Sequence, residues 1–221
     1  MTKIIGIDDA GRGPVLGPMV MAGILIDKKD EIKLLRLDVK DSKQLFPNKR
    51  RKIAKELANF PNHIELTFPE EIDKLMISGT NLNTIEALKM AMIINKLMQD
   101  QNQKVKVIID CPSTNIKAWT QTLREFILKK ELVELACEHK ADENHPIVSA
   151  ASILAKVRRD EEIKEIKKTI NISIGSGYPS DPLTKEFLRN HGEHFVDKNI
   201  IRTQWATWKN LKKGKSQKKL F

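Results

Sequence analysis

Apolar residues follow two rhythms along this chain. Short, mostly apolar runs bounded by charged residues, glycine or proline read as strands: Lys3–Asp8, Met19–Asp27, Val105–Asp110 and Leu132–Glu138. His63–Phe68 alternates polar and apolar residues like a half-buried strand. Elsewhere apolar positions recur every three or four residues, as at Ile85, Leu88, Met92 and Leu97, and predict a helix over 84–98. Further helices are predicted over 49–59, over 69–76 with proline in the first turn, and over 116–128, 145–168, 183–191 and 204–213. Residues 28–47 read as a polar connection, and Gly175–Pro182 is too rich in glycine and proline for either regular state. Early strands followed by alternating helices and strands predict an α/β fold, a mixed sheet flanked by helices.

Composition narrows the class. With 221 residues, 40% of them hydrophobic and 31% charged, the chain has the make-up of a globular protein with a real core. Thirty-nine basic against 29 acidic residues give +10, which favours a polyanionic partner such as nucleic acid, with a merely basic surface as an equal reading. The charge is concentrated: from Arg202 to Phe221 stand seven basic residues and no acid. The lysines of this tail would meet a phosphate backbone or simply solvate the terminus. Trp205 and Trp208, three apart, would share a helix face and dock that helix on the body. Cys111 and Cys137 have neither metal-site spacing nor the number for a disulfide framework. No apolar run approaches the roughly 20 residues that span a bilayer. No secretory leader precedes the first strand, so a cytoplasmic monomer is expected.

The chemistry concentrates in four acids. Asp8 and Asp9 follow the first strand and lead into Gly11-Arg12-Gly13; Asp110 ends the VKVIID run; Asp142 lies between a strand and the helix opened by His145-Pro146. Strand-end carboxylates are hard oxygen ligands for Mg²⁺ or Mn²⁺, the glycines allow close backbone approach, and the arginine suits phosphate. Four acids gathered in one place would repel unless cations compensated them. Two divalent ions about 3.5–4 Å apart would do so and could clamp both oxygens of a phosphodiester displacement. Taken singly, Asp110 reads equally as a turn residue and Asp142 as a helix cap.

The ordered set GIDDAGRGPVLGP (Gly6–Pro18), DSKQL (Asp41–Leu45), IID with STN after it, HKAD (His139–Asp142), VSAASILAKVRRD (Val148–Asp160) and GSGYPSDP (Gly175–Pro182) resembles the ribonuclease HII family in its archaeal-type form, over nearly the whole chain. The resemblance implies a ribonuclease H-like fold, with a catalytic domain over 1–182 and a C-terminal helical segment with a basic tail over 183–221. It implies hydrolysis of the RNA strand of RNA–DNA hybrids, and a cut 5′ to ribonucleotides embedded in duplex DNA, leaving 3′-hydroxyl and 5′-phosphate ends. By the same resemblance Asp8, Asp9, Asp110 and Asp142 would hold two Mg²⁺ or Mn²⁺ ions. Gly11, Arg12 and Gly13 would present backbone groups to the scissile 2′-hydroxyl. Tyr178 would pack on the next sugar, and Lys43, Ser149 and Lys156 would meet phosphates. On residue type alone, Ser149 reads equally as a small residue in a helix–sheet contact and Lys156 as a solvated lysine.

One residue departs from the pattern: the family's second acid is usually Glu, and here Asp9 is one methylene shorter, which would reduce activity with Mg²⁺ and give a relative preference for Mn²⁺. The related ribonuclease HIII usually carries Gly-Thr-Gly at this turn and an additional N-terminal domain. A different class of reading is a non-catalytic RNA–DNA hybrid-binding protein disabled at Asp9. The terminus Gln217-Lys218-Lys219-Leu220-Phe221 resembles a truncated sliding-clamp-binding peptide, set against the plainer reading of a basic tail.

Overall fold

The computed structural model describes residues 2–39 and 45–218, with 214–218 as backbone alone. Lys43 and residues 219–221 lie outside the described residues. One sheet holds five strands, β1 (Lys3–Ala10), β2 (Met19–Asp27), β3 (Asn62–Thr67), β4 (Val105–Asp110) and β5 (Val133–Glu138), in the order β3-β2-β1-β4-β5. β1 is antiparallel to β2 and parallel to β4, which is parallel to β5. The helices are α1 (Glu31–Arg36), α2 (Pro47–Leu57), α3 (Pro69–Ile77), α4 (Leu82–Leu97), α5 (Ile116–Glu125), α6 (Ala141–Asn144), α7 (Pro146–Thr169), α8 (Pro182–Asn190) and α9 (Ala206–Lys218). The predicted mixed sheet flanked by helices is the observed architecture. Among the described residues no helix is long and apolar enough to cross a membrane.

Three expectations need correction. The connection over 28–47 contains a 3₁₀ turn (Lys28–Asp30) and α1, a helix too short to display a period and with only Leu34 buried. Asp8 and Asp9 lie within β1, because the ladder to β2 runs on through Asp8↔Ala22, Asp9↔Met21 and Ala10↔Val20. Trp205 precedes the last helix, so Trp205 and Trp208 do not share a turn of it.

The chain divides into two compact units. The first comprises Met1–Ala10, Val20–Glu65 and Leu82–Arg158. Here a glycine on each face of the sheet admits a helix. At Gly23, opposite Ile7, an added Cβ would stand 2.3 Å from Ile93 of α4. At Gly6 it would stand 2.5 Å from the Ile147 carbonyl carbon and oxygen in α7. The facing stretch of α7 includes Ser149, Ala150, Ala151 and Ser152, all buried and all small, so backbone can approach backbone. Side chains two apart on a strand share a face, so Asp8 points to the α7 side, as Gly6 does. Two strand residues advance about 6.6 Å and five helical residues about 7.5 Å. The Gly6–Ile147 contact therefore sets Asp8 level with Ser152.

The second unit comprises Gly11–Met19, Leu66–Asn81 and Arg159–Phe221. Its core gathers Val15, Leu16, Ile170, Ile174, Phe187, Leu188, Ile200, Ile201 and Trp208. Leu16 pairs with Ile201 as an isolated antiparallel bridge. Asp73 of α3 accepts from the Thr203 backbone N–H at 2.6 Å and from its hydroxyl at 2.7 Å.

Candidate active site

Asp8, Asp9, Asp110 and Asp142 all lie in the first unit, where the charges of Asp9 and Asp110 act on Asp8. Asp8 is 4% exposed, and its own Oδ1 accepts from the Asp9 N–H at 2.7 Å. Burial holds its carboxyl well above the usual value, the negative charges of Asp9 and Asp110 push the same way, and hydrogen bonds from the Ser152 hydroxyl and the Asp9 N–H only partly offset them. Asp110 is the last residue of β4, half-buried, and its Oδ1 accepts from the Ala141 N–H at 3.1 Å. That bond fastens the start of α6 to the end of β4. Lys140 makes the turn into α6 in the left-handed region, with φ of 58°, and Asp142 follows in the first helical turn, buried. Asp142 is thus a helical residue, where the sequence placed it in the approach to α7. Beside it, the Cys111 N–H donates to the Glu138 carbonyl at 2.9 Å, and His139 Nδ1 lies 3.1 Å from the Cys111 carbonyl.

Neither cysteine offers a reactive thiolate. Burial raises both thiols, that of Cys137 to about 11. Lys156 is half-buried on α7. Ser149 is fully enclosed, and its hydroxyl donates to the Val39 carbonyl. As it stands this hydroxyl holds chain rather than facing solvent. Val39 directly precedes the segment that carries Lys43.

In the second unit, Gly11, Arg12 and Gly13 form a turn whose carbonyls all serve as acceptors. Arg202 donates to Gly11 O at 2.6 Å, Arg12 O at 2.9 Å and Gly17 O at 2.9 Å, and Trp205 Nε1 donates to Gly13 O at 3.2 Å. The Arg202 guanidinium also lies 4.7 Å from the Trp205 ring centre. Gly11 has φ of +85°, and a Cβ there would fall 2.2 Å from Arg159 Nε, so both conformation and space exclude other residues. Arg159 is 4% exposed, and its guanidinium carbon is 5.8 Å from the centre of the Tyr178 ring. Tyr178 is 43% exposed, and its ring edge is 3.7 Å from where a Gly13 Cβ would be. Asp181 holds the tyrosine's loop: it accepts from Ser176 N at 2.6 Å and from Leu183 N at 2.9 Å, where it caps α8. A hydrogen bond from the Ser176 hydroxyl, together with these backbone bonds, holds its carboxyl at about 2.

The sequence pattern of ribonuclease HII matches residues 5–208. The chain belongs to the ribonuclease HII family. A ribonuclease HII of Methanococcus maripaludis is 44% identical over 220 residues, covering 99% of this chain and 90% of that one. The crystal structure of the ribonuclease H2 from Pyrococcus horikoshii superposes with a TM-score of 0.82 at 35% identity, covering 96% of this chain and 98% of that one. The ribonuclease HII of Archaeoglobus fulgidus, solved as a complex with PCNA, gives 0.78 at 35% identity, with 94% and 96% covered. The chain is accordingly a type 2 ribonuclease H endonuclease.

The four candidate donors suit a hard divalent cation: all are carboxylates, and Asp8 is buried against the charges of Asp9 and Asp110. Among the described residues no three His, Cys, Asp or Glu side chains are arranged as a ready cage. The fit therefore rests on donor chemistry and charge. Sequence reasoning missed three residues that shape these groups. Ser152 lies within a recognised motif, but its residue type alone points to no role. Arg159 and Arg202 carry no sign of burial in the sequence, and Arg202 stands at the head of the basic tail although it is 0% exposed.

Proposed function

We propose that Asp8, Asp9, Asp110 and Asp142 are the metal-binding carboxylates of a hydrolytic centre that cuts the RNA strand of RNA–DNA hybrids and cleaves 5′ to a ribonucleotide embedded in duplex DNA, leaving 3′-hydroxyl and 5′-phosphate ends. Bound there, two divalent ions, Mg²⁺ or Mn²⁺, would supply an activated water and charge stabilisation at the leaving 3′-oxygen. The observation that carries this reading is Asp8: a carboxylate buried inside a strand, beside two others, in a chain with an excess of base. A binding protein for a polyanion gains nothing from such a group.

The remaining roles belong to the same proposal. Ser152 orients the Asp8 carboxyl by its hydrogen bond. Asp110 holds α6 and with it Asp142. Gly11, Arg12 and Gly13 present backbone to the ribose 2′-hydroxyl, the group that separates RNA from DNA. Tyr178 packs an exposed ring on the following sugar. Lys156 and Lys43 meet phosphates, and Ser149 contributes by tethering Val39 ahead of Lys43. The C-terminal peptide from Gln217 engages a sliding clamp, a reading supported by the PCNA complex of the Archaeoglobus relative. Its decisive residues lie outside the described ones.

The test is a labelled DNA duplex carrying one ribonucleotide, incubated with Mg²⁺, Mn²⁺ or EDTA. One cut 5′ to the ribonucleotide, abolished by EDTA and by Asp110→Asn, is expected. Binding of the duplex with no cut in either metal would contradict the proposal.

A further inference from the structure

Three successive carbonyls, those of Gly11, Arg12 and Gly13, are all turned toward donors from one C-terminal segment. The peptide is planar and trans, so each N–H points opposite to the carbonyl it shares a plane with. With Gly11 O and Arg12 O fixed on Arg202, the N–H groups of Arg12 and Gly13 are aimed away from it, side by side. Adjacent N–H groups on one side of a turn make a concave donor pair for an oxygen. The peptide after Gly13 is that of Pro14, which has no N–H, so the pair ends there.

An arginine enclosed without exposure must have its donors met. Arg202 makes three carbonyl bonds, lies over the Trp205 ring, and donates its own backbone N–H to Val15 O at 2.9 Å. Its planar fork spans acceptors on Gly11, Arg12 and Gly17 together, which a lysine, with a single nitrogen, would not reach in the same geometry. Trp205 holds the third carbonyl of the turn.

We propose that Arg202 and Trp205 are positioning residues that fix the Gly11–Gly13 turn with its Arg12 and Gly13 N–H groups facing the ribose 2′-oxygen, and so set the preference for ribonucleotide over other sugars. The inference rests on the proposed role of that turn. Neither residue touches substrate; each acts through the backbone it holds.

The experiment compares kcat/KM for two duplexes in Mn²⁺, one with a single ribonucleotide and one with a 2′-fluoro nucleotide at that place, for the full chain and for Arg202→Lys and Trp205→Phe. Fluorine is a poor acceptor, so wild type should favour the hydroxyl. Losing a well-placed hydrogen bond corresponds to roughly 3–10-fold. Arg202→Lys should lower the hydroxyl-to-fluoro ratio by about tenfold, and Trp205→Phe, which keeps a ring but loses the N–H, by about threefold. A purely structural role would slow both duplexes alike, and an unchanged ratio in the variants overturns the assignment. If Arg202→Lys does not fold, Trp205→Phe decides alone by the same criterion. A wild-type protein that does not distinguish the two sugars would overturn instead the reading of the turn on which the assignment rests.

Discussion

Gly6→Ala tests how the acid cluster is positioned. The new methyl would stand 2.5 Å from the Ile147 carbonyl carbon and oxygen and 2.8 Å from Val148 N. All three are backbone atoms of α7, so no side-chain rotation relieves the contact. Restoring ordinary contact requires α7 to retreat from β1 by about 1 Å. Overpacking of this kind costs about 1–3 kcal/mol. For a chain of this size that lowers the melting temperature by roughly 2–12 °C. The same retreat draws Ser152 away from the Asp8 carboxyl. Misplacement by about 1 Å near reacting groups can cost about 100-fold in rate. Calorimetry and single-ribonucleotide cleavage would be measured side by side, with Gly79→Ala as the comparison. At Gly79, φ is +94° and nothing lies within 4 Å, so strain acts there without a clash. Gly79→Ala should lose about 1 kcal/mol of stability and keep its activity. Wild-type stability in Gly6→Ala would refute the close-approach argument. Lost stability with unchanged cleavage would refute the claim that this contact positions the acids.

Asp8 binds its proton more tightly folded than unfolded, so without metal it subtracts stability as pH rises above 3.8; Asp8→Asn should remove that dependence, leave the metal-free melting temperature equal or higher, and abolish the gain from added Mn²⁺, about 2.7 kcal/mol at one hundred times the dissociation constant. Asp181 behaves in the opposite sense: its depressed carboxyl, at about 2, stabilises the folded chain above the ordinary 3.8 and loses that contribution as pH falls toward 2. Asp181→Asn should flatten urea stability across this interval, and an unchanged slope would contradict the capping account. Asp9→Glu should raise the Mg²⁺ rate relative to the Mn²⁺ rate, and equal Mg²⁺ rates in the two proteins would show that the missing methylene does not matter.

The sheet was legible because β1 and β2 are buried on both faces and write themselves as apolar runs, and β4 is interrupted only by the exposed Lys106. Acids closing such runs, Asp9 and Asp110, stand out for the same reason. Short helices left little trace: α1 and α6 hold six and four residues, too few for a period. Arg202 was opaque for a different cause. A buried arginine and a solvated one are the same letter, and only the carbonyls of Gly11, Arg12 and Gly17, nearly the whole chain away, distinguish them. Ser149 shows the converse: a hydroxyl inside a recognised motif proves to be engaged with Val39. Motif membership identified the residue but not the direction in which its oxygen points.

Four carboxylates, on β1, β4 and α6, are proposed to hold divalent ions. The most direct measurement is anomalous diffraction from crystals of the full chain grown with Mn²⁺. Two manganese peaks are expected within coordinating distance of Asp8, Asp9, Asp110 and Asp142, lost or halved in Asp110→Asn. Manganese bound elsewhere, or no peak at these carboxylates while the protein cleaves its duplex, would contradict this proposal.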